Sequence, residues 1–133
     1  MNTRLQVEHP ISQQITGIDL VEQMILIAAG HKLAFKQSDI KINGHAVEAW
    51  VYAEDASRKF LPSIGFLRKY IEPKQRDGLR IDTGVQEGSE ISMYYDPMIS
   101  KLITHKKTWD EALDMMNECI DEYVIQGVVD NLG

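Results

Sequence analysis

Polar and apolar residues alternate at the start of the chain. Asn2, Arg4, Gln6 and Glu8 take every second position, with Thr3, Leu5 and Val7 between them. Alternate side chains of an extended strand share a face, so this spacing predicts a strand with one polar row. The period then changes. Val21, Met24, Ile25 and Ala28 recur at i, i+3, i+4 and i+7, which predicts an amphipathic helix over residues 17–29. Thr16 is placed to cap that helix, Asp19 lies where the helix dipole favours an anion, and Gly30 is a natural stop. His9 and Pro10 read as the turn between strand and helix. Lys32 to Ser38 is a polar connection, and a boundary there divides the chain into residues 1–35 and 36–133.

From residue 36 to about residue 104 the pattern is strand and turn. Ala46 to Ala53 alternates, with Val47, Ala49 and Val51 on one side. Phe66–Ile71, Leu79–Asp82, Glu90–Met93 and Ile99–Thr104 read as further strands, separated by Pro- and Gly-bearing turns. Glu54 with Asp55, and Asp96 before Pro97, read as turns, and the Tyr94–Tyr95 pair as packing. Thr108 and Glu111 form an S/T-x-x-E capping box that opens a last helix. Trp109, Ala112, Leu113, Met116, Ile120 and Tyr123 mark its expected buried stripe, with Met115 and Met116 as core. The class is α+β.

Composition narrows the chemistry. A net charge of −6 offers no basic stripe to displace phosphate counterions, which argues against nucleic acid. The single cysteine, Cys119, cannot form an internal disulfide and lies among helix-forming residues. The four histidines show no metal-ligand spacing. No run of about 18 apolar residues is present to span a membrane. The 133 residues open inside a polar motif and close inside what reads as a further segment, so the sequence reads as a piece of a longer polypeptide.

The run Met1-Asn2-Thr3-Arg4-Leu5-Gln6-Val7-Glu8-His9-Pro10, followed by Ile15-Thr16-Gly17-Ile18-Asp19-Leu20, resembles the signature of the biotin-dependent carboxylases. Two further blocks agree in order: Gly44 to Glu48 with Ala53-Glu54-Asp55 and Phe60 to Ser63, and then Tyr94 to Leu102. The wording of His31–Gly44, Arg80–Leu102 and Tyr123–Gly127 is most similar to the propionyl-CoA carboxylase alpha-subunit branch. The resemblance implies the end of an ATP-grasp lobe followed by the biotin carboxylase C-terminal domain, with strands curled into a barrel-like sandwich. It also implies a ligase that uses MgATP (or the Mn2+ form) and bicarbonate to carboxylate biotin.

Carried over residue by residue, Asn2 matches a metal ligand whose usual companion is a glutamate upstream. Arg4 matches an arginine lining the bicarbonate and phosphate region. Gln6 and Val7 match bicarbonate-holding positions, Val7 through its backbone. Glu8 matches the base that takes the bicarbonate proton, and a nearby Arg4 would keep it ionised. Arg80 matches an arginine facing the biotin ureido oxygen. Three positions depart from the family wording: Trp50 where an arginine is usual, Ala56 for a proline, and Ser12-Gln13-Gln14 for a threonine–glutamate pair. The implied partners are a carboxyltransferase beta subunit, the biotin carrier domain of the same polypeptide and further copies in an oligomer. The implied location is the mitochondrial matrix in a eukaryote and the cytoplasm in a bacterium. The rival readings are another acyl-CoA carboxylase alpha subunit, such as methylcrotonyl-CoA or acetyl-CoA carboxylase, and a non-catalytic subunit-contact module.

Overall fold

Residues 2–8 do not form the strand that their alternation predicts. In the computed structural model, which describes residues 2–132, they run as irregular chain and turn at Val7 and Glu8 into a helix, α1 (His9–Thr16). Among the described residues no neighbouring strand supplies them with a ladder, and Pro10 in the first turn suits a helix start. A second helix, α2 (Leu20–Ala28), follows, capped by Asp19 rather than Thr16. The Asp19 carboxylate accepts the Glu22 backbone N–H at 3.0 Å, while the Thr16 hydroxyl turns back to the Ser12 carbonyl inside α1. The apolar face of α2 is left uncovered, with Ile25 64% exposed.

The remaining elements, in chain order, are β1 (His45–Tyr52), β2 (Glu54–Asp55), β3 (Leu61–Pro62), β4 (Gly65–Phe66), β5 (Lys69–Ile71), β6 (Leu79–Thr83), β7 (Glu90–Ile91), β8 (Met98–Lys106), α3 (Trp109–Glu122) and β9 (Val124–Gln126). The long strands form an antiparallel sheet in the order β1-β8-β6. The short ones make separate two-stranded ladders, β2 with β3, β4 with β7 and β5 with β9. The α+β class holds. Among the described residues, however, these ladders do not close into a barrel, because strands of two or three residues cannot carry pairing around a ring.

The expected Phe66–Ile71 strand is two strands. Phe66 pairs with Glu90, whereas Tyr70 pairs with Ile125, and Leu67 between them is buried in the core. Glu54–Asp55 is a strand end that becomes a turn, since the Asp55 carboxylate accepts the Ser57 N–H. Asp96 behaves as a turn residue and accepts the Met98 N–H at 2.9 Å. The Tyr94–Tyr95 pair is not packed: the two residues are 85% and 83% exposed.

The core lies between the sheet and α3, where Val51, Leu102 and Leu79 cluster with Met115, Met116, Cys119 and Tyr123. The capping box forms as expected, with Glu111 and Thr108 bonded both ways. The buried stripe is rotated from the expected one. Ala112, Met116 and Tyr123 are buried, Met115 is core as expected and Ile120 packs against the core, but Trp109 and Leu113 are exposed, and Cys119 takes an inward position. Positions 112, 115, 116, 119 and 123 fall on one helical face, so the sheet selects among two possible stripes.

Candidate functional site

Although residues 2–8 are not a strand, Asn2, Arg4, Gln6 and Glu8 all line one cleft of about 630 Å³. Its opposite wall is apolar, with Leu20, Met24 and Ile27 of α2, and Leu33 and Phe35 beyond it. Val7 does not line the cleft. Its carbonyl accepts a hydrogen bond from Lys101 Nζ at 2.9 Å.

Within the cleft the Gln6 amide donates to Glu8 Oε1 at 2.8 Å, and the Gln6 carbonyl lies 2.8 Å from His9 Nδ1. Arg4 Nη1 donates to the Leu5 carbonyl at 3.2 Å. The expected approach of Arg4 to Glu8 is not seen: no ion pair joins them among the described residues, and Gln6 is the partner of the carboxylate. The Arg4 guanidinium is instead bent onto the backbone of the next residue, Leu5, a geometry that alternation along a strand does not anticipate.

Arg80 lies apart from this cleft, beside a smaller cavity of about 270 Å³ lined by Gln13, Gly17 and Asp19 among others. Its Nε and Nη2 bond the two Asp82 oxygens at 2.7 and 3.0 Å, and Nη1 donates to Gln13 Oε1 at 2.5 Å. Helix α1 carries residues of both cavities, His9 and Ser12 on the first and Gln13 on the second.

Sequence reasoning missed the residues that join the sheet to the cleft. Lys101, only 8% exposed, bonds Val7 and lies 3.5 Å from Asp82 Oδ2. Burial works against the Asp82 carboxylate, yet the bonds and charge of Arg80 and the charge of Lys101 prevail and hold it below the usual carboxylate range. The signal was a lysine within the otherwise apolar and small run Met98–Ile103.

Beside them on β1, burial pushes the Glu48 carboxyl up, partly countered by the Trp50 indole N–H and by Lys101. Glu48 Oε1 takes that N–H, while Oε2 is buried without a partner. The indole also meets Tyr52 edge-on, with ring centroids 6.2 Å apart. Trp50 thus gives Glu48 a neutral donor to one of its two carboxylate oxygens.

Mg2+ takes six oxygen ligands in octahedral geometry, usually several waters with one or two carboxylates and substrate phosphate oxygens. Asn2 has only Glu8 as an acidic neighbour in the cleft, and no cluster of three or more potential ligands occurs among the described residues. The described residues therefore supply only part of a metal's ligand set.

Residues 48–133 match the family model of the biotin carboxylase C-terminal domain, and residues 1–36 match that of the carbamoyl-phosphate synthase L chain ATP-binding domain. The mitochondrial propionyl-CoA carboxylase alpha chain of Homo sapiens is 58% identical over 133 residues, covering 99% of this chain and 18% of that protein. The propionyl-CoA carboxylase alpha chain of Ruegeria pomeroyi is 47% identical over 151 aligned residues, covering 99% of this chain and 22% of that protein. Among solved structures, the biotin carboxylase domain dimer of Hydrogenobacter thermophilus 2-oxoglutarate carboxylase, in complex with MgADP, ADP and bicarbonate, superposes with a TM-score of 0.96. It shares 42% identity and covers 98% of this chain and 29% of that one. The chain spans about a fifth of the length of these curated relatives.

Proposed function

The chain belongs to the biotin carboxylase C-terminal domain family, and from that premise we propose that it closes the biotin carboxylase unit of a propionyl-CoA carboxylase alpha chain. The parent enzyme would cleave MgATP with bicarbonate, carboxylate biotin, and pass the carboxyl group to propionyl-CoA to give methylmalonyl-CoA. Biotin, carried on another part of the parent polypeptide, supplies the ureido nitrogen that accepts the carboxyl group.

The residues of this chain would act on bicarbonate. The Arg4 guanidinium is planar and always charged, which suits a planar oxyanion. The Gln6 amide and the backbone at Val7 would orient it. Glu8, whose second carboxylate oxygen is not engaged by Gln6, would take its proton as it attacks the γ-phosphate. Positioning and charge carry most of phosphoryl transfer, so a cleft that assembles these groups contributes without covalent chemistry. Asn2 would contribute one oxygen to a metal whose other ligands come from outside these residues. Arg80 is assigned to the biotin ureido oxygen.

The observation that carries the reading is the common cleft of Asn2, Arg4, Gln6 and Glu8. In the full-length enzyme, Glu8→Gln should lower the turnover of bicarbonate-dependent ATP cleavage by about 10²–10⁴-fold, with the KM for ATP little changed. Normal turnover would show that the carboxylate is only a solvated side chain.

The boundary between residues 35 and 36 is part of the same proposal, supported by two separate family matches, one ending at residue 36 and the other starting at residue 48. So are a carboxyltransferase beta subunit as partner, assembly into an oligomer, and a mitochondrial matrix location. The last is supported by the mitochondrial relatives. No helix among the described residues is long and apolar enough to cross a membrane. A second reading, in which the separated chain is only a contact module, draws on the uncovered α2 face.

A further inference from the structure

We propose that Lys101 is a positioning residue for Glu8, holding the Val7–Glu8 peptide so that the carboxylate faces the cleft. This inference rests on the function proposed above and adds a residue to it. Lys101 sits on β8, the central strand of the β1-β8-β6 sheet, and so on the most constrained backbone near the cleft. It is 8% exposed, and a lysine buried to that degree needs partners for its charge. It has two. Asp82 Oδ2 lies 3.5 Å away, and the Val7 carbonyl accepts its hydrogen bond at 2.9 Å. Asp82 is in turn gripped by two nitrogens of Arg80, which reaches Gln13 on α1 with a third. The ammonium is therefore held from below by the sheet and presented to one backbone carbonyl above it.

That carbonyl matters because of what shares its plane. The C=O of Val7 and the N–H of Glu8 belong to one rigid peptide unit, so fixing the first orients the second. Residues 2–8 have no strand ladder to hold them. Glu8 stands at the N-cap of α1 yet makes no side-chain capping bond, which leaves its carboxylate to Gln6 and the cleft. The backbone position of Glu8 thus depends on the helix it begins and on the lysine beneath the preceding carbonyl. A charged donor to a carbonyl is also stronger than a neutral one.

The test is a double-mutant cycle in the full-length enzyme, reading bicarbonate-dependent ATP cleavage. Misplacement of a reacting group by about 1 Å costs roughly 10²-fold, so Lys101→Met should lower turnover by about 10–100-fold and raise the KM for bicarbonate. The KM for ATP should stay near that of the unmodified enzyme, which general loss of structure would not allow. If Lys101 acts through Glu8, the same change in a Glu8→Gln background should cost less than about threefold. Unchanged kinetics in Lys101→Met, or losses that multiply in the double variant, would overturn the proposal. A Glu8→Gln enzyme of normal turnover would overturn the proposed function and this inference together. If Lys101→Met does not fold, Lys101→Gln, which keeps a neutral donor, takes its place in the same cycle with the same deciding outcomes.

Discussion

Arg80 presents three of its nitrogens to protein acceptors, two on Asp82 and one on Gln13. A role toward biotin and a role as a clamp on Asp82 therefore make different demands on the same side chain. Lysine keeps a cation beside Asp82 but loses the planar fork. Arg80→Lys in the full-length enzyme should lower biotin carboxylation well beyond any loss of bicarbonate-dependent ATP cleavage, with Arg80→Gln worse on the first rate. If both rates fall in the same proportion in one preparation, Arg80 acts through Asp82 and Lys101, and its assignment to biotin is wrong. At this scale the sequence was informative where residue types were unusual together. An amide, a guanidinium, a second amide and a carboxylate at alternate positions marked the cleft wall, even though the reason given, a strand, does not hold. It marked Lys101 only as a lysine in an apolar run, since nothing local says that a lysine on β8 reaches the backbone of Val7, 94 residues away.

Two glycines separate local from long-range demands on the elements. Gly88 and Gly127 both adopt positive φ, at +87° and +112°. A Cβ at Gly88 would meet nothing within 4 Å, so Gly88→Ala carries only the left-handed penalty of about 1–2 kcal/mol. At Gly127 the same atom would lie 2.0 Å from the Phe66 carbonyl and 2.9 Å from the Arg68 nitrogen. Both belong to the backbone, which cannot swing away, so overpacking adds to the penalty and brings the cost to about 3 kcal/mol or more. Thermal melts of the parent protein should place Gly127→Ala clearly below Gly88→Ala. Equal melting temperatures would mean that the segment after α3 is not seated on the junction of β4 and β5. This seating also explains two misread elements. The split of Phe66–Ile71 and the unexpected β9 both arise because the chain after α3 returns to pair with Lys69–Ile71. The capping box of α3 needed no such partner and was read correctly, because its bonds span only three residues.

For the molecule as a whole, the uncovered face of α2 and the partial ligand set at Asn2 lead to one expectation. The 133-residue chain by itself should not cleave ATP in the presence of bicarbonate, and restoring the rest of the parent polypeptide should restore that activity. Bicarbonate-dependent phosphate release above background from the isolated chain would refute this and the incomplete-site argument with it. The sequence by itself determined the class, the capping box of α3, the main strands and the family. These depend on short-range periodicity, or on motif wording that survives without knowledge of contacts. Only the tertiary structure decided which stripe of α3 turns inward, since two apolar stripes compete and the sheet chooses between them. It alone opened residues 2–8 from a strand into a cleft wall, because a strand requires a neighbour and the described residues offer none. It alone brought Arg80, Asp82 and Lys101 beneath Val7, because ion pairs and buried hydrogen bonds link residues that packing makes neighbours, and separation along the chain does not limit them.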